Sequence, residues 1–125
     1  MLAAAGNPNP AVINTLLNAG ADIKAQDSQR QTALIYAALE NQNPEVITTL
    51  LKAGADVNGK DQYTYTALMW AASKNANPEV VVILLNAGAN ARAKTLDGMT
   101  ALDLAQINEK LKGTDALKQL EEASR

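Results

Sequence analysis

The sequence predicts an all-α fold, a solenoid of stacked helix-turn-helix units, and three sets of recurrences predict it. Leu16-Leu17-Asn18-Ala19-Gly20-Ala21-Asp22 returns as Leu50-Leu51-Lys52-Ala53-Gly54-Ala55-Asp56 and again as Leu84-Leu85-Asn86-Ala87-Gly88-Ala89-Asn90. Thr32-Ala33-Leu34 returns at Thr66-Ala67-Leu68 and Thr100-Ala101-Leu102, and Asn9-Pro10 at Asn43-Pro44 and Asn77-Pro78. Every family is spaced by 34 residues, and residues 23–56 match 57–90 at sixteen positions without a gap. A period of this size marks units that cannot bury an apolar face alone and do so by stacking.

Within one unit the elements follow in order. Thr32 is placed to cap an inner helix, its hydroxyl accepting from the first-turn N–H groups, and Leu34, Ala37 and Ala38 share one face of that helix. Asn41 sits where the helix should stop, in the left-handed conformation that asparagine tolerates. Asn43 then caps a second, outer helix with Pro44 at its first position, where a missing N–H costs nothing. Val46, Ile47, Leu50 and Leu51 form its apolar stripe, and Gly54 ends it. About a dozen polar residues lead to Thr66 and the next unit. Val80-Val81-Val82-Ile83 has the β-branched character of a strand, but Asn77-Pro78 before it and Gly88 after it predict a helix.

One domain, 1–125, follows: a truncated unit at 1–22, complete units at 23–56 and 57–90, and a C-terminal capping unit at 91–125. Met1 aligns with Ile35, so the first unit begins partway into its inner helix. The stacking face of Leu2, Val12, Ile13, Leu16 and Leu17 is then open, and self-association through it is an expectation beside that of a monomer. At the other end Thr100 to Leu111 reads as a full inner helix, and Thr114 to Glu122 as a more polar outer helix, displaced by a few residues.

Composition narrows the function. Apolar residues are 47% of the chain and aromatics 3%, with no phenylalanine, so Ala, Leu, Val and Ile must form thin, closely spaced layers. The net charge is −2, and no Lys/Arg cluster exists to meet phosphates, which argues against nucleic acid and anionic membrane as partners. The apolar run Val80 to Leu85 is far below a membrane span. Met1 to Ala5 lacks the pattern of a signal peptide. Cytoplasmic is the default location, with export left open. Histidine and cysteine are absent, which removes the commonest general base, the commonest transition-metal ligand and all thiol chemistry. The serines are Ser28, Ser73 and Ser124 alone, Glu45 and Glu79 occupy helix first turns, and Gly20, Gly54 and Gly88 are helix stops rather than a phosphate cradle. No catalytic, metal or cofactor site is expected.

Asp27-x4-Thr32-Ala33-Leu34-x2-Ala37-Ala38, followed by Pro44-Glu45-Val46-Ile47-x2-Leu50-Leu51-x2-Gly54-Ala55-Asp56-Val57-Asn58, closely resembles the ankyrin repeat across essentially the whole chain. The resemblance implies paired antiparallel helices joined by outward β-hairpin-like finger loops, with fingers and inner helices lining a concave surface that grips partner proteins. The spacing and the Asn-Pro turn are more similar to bacterial ankyrin proteins than to animal ones. The usual period is 33, and the extra residue falls in the turn between helices, in Asn41-Gln42-Asn43-Pro44 and Asn75-Ala76-Asn77-Pro78. The family's proline after the capping threonine is Ala33, Ala67 and Ala101. Its histidine is Ile35 and Met69, so the capping role of that imidazole is missing. The finger-turn glycine is present as Gly98 but is Arg30 and Thr64 in the other units. Since a non-glycine residue at positive φ is strained, those two tips are expected to turn differently.

The family's contact positions correspond here to Gln26, Ser28, Gln29, Gln31, Leu39 and Glu40 in the first complete unit. In the next they are Lys60, Gln62, Tyr63, Tyr65, Ser73 and Lys74, and in the last Lys94, Leu96, Asp97, Met99, Ile107 and Asn108. Tyr63, Tyr65, Leu96 and Met99 either bind a partner or pack finger against finger. Trp70, equivalent to Tyr36, is a further candidate contact, although Leu104 in the same position of the last unit favours a space-filling role. The expected function is non-enzymatic protein–protein interaction. The alternative is a structural scaffold, either a piece of a longer array or an engineered segment without a partner.

Overall fold

The computed structural model describes residues 3–125. A 3-10 helix at Ala3–Gly6 precedes seven α-helices: α1 (Pro10–Asn18), α2 (Ala33–Glu40), α3 (Pro44–Lys52), α4 (Ala67–Lys74), α5 (Pro78–Asn86), α6 (Ala101–Ala105) and α7 (Asp115–Ala123). A second 3-10 turn, Glu109–Leu111, lies before α7. The first 3-10 helix, α2, α4 and α6 stack as an inner row, and α1, α3, α5 and α7 as an outer row behind it. The β-branched segment Val80–Ile83 is helical within α5, because its caps outweigh its local propensity.

The same caps recur with the same geometry. Thr32, Thr66 and Thr100 accept from the N–H groups of Ile35, Met69 and Asp103 at 3.3 Å. Asn9, Asn43 and Asn77 each accept from the residue after the helix-opening proline at 3.0 Å. The missing imidazole leaves the Thr32 cap one-sided, since Ile35 has no acceptor to return, but the other two caps are reciprocal. The Thr66 N–H donates to the Met69 thioether at 3.4 Å, a weak acceptor, and the Thr100 N–H to the Asp103 carboxylate at 3.0 Å. The outer helices α1, α3 and α5 end in a Schellman turn, in which, at α3, Gly54 at φ +98° lets its N–H reach Leu51 O and the Ala55 N–H reach Leu50 O. A Cβ at Gly54 would touch nothing, so its backbone angle alone calls for glycine.

The core is continuous and small-chained. Ala33, Ala37 and Ala38 of α2, Ala67, Ala71 and Ala72 of α4, and Ala101 and Ala105 of α6 are buried, and so are Val46, Ile47 and Leu50 of α3 and Val80, Val81 and Leu84 of α5. In α1 the expected open face is largely covered: Ile13 is fully buried and Val12, Leu16 and Leu17 are half-buried against the core. Leu2 and the alignment of Met1 lie outside the described residues.

Asn41 departs from expectation. It is extended, at φ −88° and ψ 120°, and not left-handed. Its side chain works across units instead. Asn41 Nδ2 donates to Ala5 O (2.7 Å) and Asn7 O (2.8 Å), and Asn75 Nδ2 to Ala38 O (2.8 Å) and Asn41 O (3.0 Å). Asn108 Nδ2 donates to Ala72 O and Asn75 O, both at 3.1 Å. Each Oδ1 accepts from the N–H two residues on, at Asn43, Asn77 and Lys110. Three buried asparagines therefore form a ladder, each satisfying carbonyls at the end of the preceding inner element, which have no partner within it.

The ladder also explains the last unit. Asn75 to Asn108 is one residue shorter than Asn41 to Asn75, and the helix predicted from Thr100 to Leu111 is realised only as far as Ala105. α6 ends at Ala105, the chain turns, and Asn108 reaches the ladder one position early, followed by the 3-10 turn. Thr114 then caps α7 through the Leu117 N–H, as the displaced outer helix requires. Asn108, a predicted surface contact, is thus buried in the stack.

Among the described residues the fingers contain no strand; each is a single closed turn. Their tips also do not differ: Arg30 (φ +63°), Thr64 (φ +66°) and Gly98 (φ +80°) share one left-handed conformation, so the strain is accepted. At Thr64 a bond offsets it, since its Oγ1 accepts from the Leu96 N–H of the next finger at 3.0 Å.

Replacing Asn75 by Ala is expected to cost about 3 kcal/mol in urea unfolding, because buried carbonyls lose their donor. Asn75→Asp should cost more, since a carboxylate there would face carbonyl oxygens. Asn7→Ala, at the exposed start of the ladder, should stay within about 0.5 kcal/mol.

Candidate partner-binding face

Each finger is built around one side chain at its base. Asp27 Oδ1 accepts from the N–H groups of Gln29 (2.8 Å) and Gln31 (2.9 Å), and Asp61 Oδ1 from those of Tyr63 (2.9 Å) and Tyr65 (3.1 Å). The loops close by paired backbone bonds, Arg30 N–H to Asp27 O and Asp27 N–H to Gln31 O, repeated at 61–65 and 95–99. This is a tight turn followed by a left-handed residue, a common three-residue hairpin connection.

The second carboxylate oxygen fastens the finger to the inner helix. Tyr36 Oη donates to Asp27 Oδ2 at 3.0 Å and Trp70 Nε1 to Asp61 Oδ2 at 2.8 Å. In the last unit Leu104 has no donor to offer, and the finger base is Thr95, whose Oγ1 serves only its own turn through the Met99 N–H at 3.2 Å. Donor and acceptor are lost together. The four neutral donors of Asp61 (two backbone N–H groups, the indole and, at 3.4 Å, the Gln31 amide) satisfy a carboxylate that is only 1% exposed. At Asp27 the Gln31 N–H is the main influence holding the carboxyl below its usual pKa; partial burial opposes it, and the Gln29 N–H and Tyr36 hydroxyl assist. The Tyr36 hydroxyl is correspondingly raised, first by its bond to Asp27 and then by burial.

Neighbouring fingers are tied at fixed spacing. Gln62 N–H donates to Gln29 O at 2.9 Å, and Asn58 bridges to the next unit by accepting from the Asn90 N–H at 2.8 Å. Between the second and third fingers an open groove of about 400 Å³ results, lined by Gln62, Tyr63, Tyr65, Trp70, Thr95, Leu96 and Asp97. The Tyr65 and Trp70 rings lie 4.5 Å apart at 33°.

The sequence-predicted contacts divide accordingly. Gln62, Tyr63, Tyr65, Trp70, Leu96 and Asp97 are brought together in this groove. Ser28 and Gln29 are exposed on the first finger, and Lys60 and Lys94 are exposed without lining the groove. Met99 is half-buried against the core and does not line the groove. Gln31 is buried, its amide turned to Asp61, and so is not a surface contact. Trp70 combines both predicted roles: its N–H is spent on Asp61 while it still lines the groove. Thr95 was missed; the signal was its place 34 residues after Asp61.

The Asp–aromatic pairing is testable by a double-mutant cycle. Asp61→Thr and Trp70→Leu should each destabilise the chain, and the double variant, which imports the Thr95–Leu104 pairing, should recover about 1–3 kcal/mol relative to the sum.

Among the described residues, no group of His, Cys, Asp and Glu is arranged to hold a metal ion, and no helix is long and apolar enough to cross a membrane. No curated protein matches the chain. A family profile described as ankyrin repeats in three copies matches residues 1–95 and 43–123. That match, with the helix pairs, caps and finger turns described above, places this chain in the ankyrin repeat family.

Proposed function

We propose that the chain is a non-enzymatic interaction module that holds a partner protein in the groove between its second and third fingers. Ankyrin repeats generally act as protein–protein interaction modules and are generally not enzymes. The observation that carries the finer reading is the exposure of Leu96 (81%) and Tyr63 (46%) on facing sides of one groove. Large apolar side chains held out by hydrogen-bonded turns contribute nothing to the core, and withdrawing them from water on a partner is favourable. The absence of any basic cluster from the sequence favours protein over nucleic acid.

The variants follow from burial. Tyr65 is packed on Trp70, so truncating it would disturb the fold as well as the surface. Tyr63→Ala with Leu96→Ser should leave the melting temperature within a few degrees, by analogy with other surface changes, and weaken capture of the partner from a native lysate by about thirtyfold or more. Capture that survives both changes would move the binding surface elsewhere. Retention of nothing by either form would favour a scaffold.

A further inference from the structure

We infer that the groove between the second and third fingers recognises an arginine side chain carried by an extended segment of the partner. The inference rests on the interaction-module reading above and names the chemistry of its central contact. Three observations carry it. The groove presents an aromatic wall, with Tyr65 and Trp70 4.5 Å apart. The Trp70 ring is held by its bond to the Asp61 carboxylate, and an indole donating to a carboxylate is electron-rich, which strengthens its attraction for a cation over its face.

The charge is one-sided. Asp97 lines the groove, Asp61 lies behind Trp70 with only neutral donors on it, and no lysine or arginine of the chain lines the groove. Lys60 and Lys94, on the same loops, are exposed outside it. A guanidinium satisfies every demand at once: it stacks flat on an aromatic face, is weakly hydrated, and offers its edge N–H groups to a carboxylate and to the Gln62 carbonyl oxygen. The aliphatic stem of the arginine would run against Leu96 and Tyr63. A volume of about 400 Å³ accommodates one such side chain and a short stretch of backbone.

Trp70 is the chain's single tryptophan and reports directly. The probe is N-acetyl-arginine amide, with N-acetyl-citrulline amide as its neutral isostere, titrated while Trp70 emission and backbone amide shifts are recorded. The expected result is saturation on the order of millimolar for the arginine amide, with shifts confined to the second and third fingers. The citrulline amide should bind at least about threefold more weakly, and Asp97→Asn should weaken arginine binding by about threefold while leaving the melting temperature unchanged. Equal response to both probes, shifts spread beyond these two fingers, or no saturation would overturn the inference. A captured partner that is lost with Tyr63→Ala and Leu96→Ser, yet unaffected by Asp97→Asn and by excess arginine amide, would leave the interaction module standing and remove the arginine.

Discussion

An inner helix of eight residues ends with carbonyl groups that its own backbone cannot satisfy, and in this stack those ends are buried. The next unit supplies the donors. Asn75 turns its amide on Ala38 and Asn41, and Asn108 does the same for Ala72 and Asn75. Burial of Ala, Leu, Val and Ile is not directional in itself, so the apolar layers name no partner atom for atom. A bifurcated amide does. The ladder thus fixes where each unit sits on the one before it, and the apolar core supplies the energy without the register.

Register is what the fingers need. Their contacts with each other are few and specific: Gln62 N–H on Gln29 O, Leu96 N–H on the Thr64 hydroxyl, Asn58 across to Asn90. Each joins units that the ladder has already aligned. Strain at Arg30 and Thr64 is tolerated for the same reason: a uniform turn preserves the spacing, whereas a relaxed turn at one tip would lose it. The groove is the outcome. Its walls come from two units, and among them is an indole whose orientation is set by the Asp61 carboxylate of its own unit.

Much of this was legible in the sequence, for identifiable reasons. Thr32, Asn43-Pro44 and Gly54 act locally, through atoms within a turn of themselves, so their roles could be read from spacing. The roles of Asn41, Asn75 and Asn108 could not, since their partners lie 33 to 37 residues away and the side chain looks like an ordinary helix stop. The early end of α6 was hidden by the same fact: only the ladder position shows that Asn108, not Glu109, is equivalent to Asn75. At the groove, the exposed tips Tyr63 and Leu96 were apparent because tip residues have few alternatives. Gln31, Met99 and Thr95 were misjudged or missed because two adjacent loop residues face opposite ways, and composition does not say which.

Buried asparagine amides hold the units in register. Hydrogen exchange of side-chain amides, followed by NMR in native buffer, tests it most directly. The Nδ2 protons of Asn41, Asn75 and Asn108 should be protected to the level of the core helices, while that of the exposed Asn7 exchanges freely. If all four exchanged at the rate of exposed amides, the ladder would not exist in solution, and the register of the stack would have to come from the apolar layers alone.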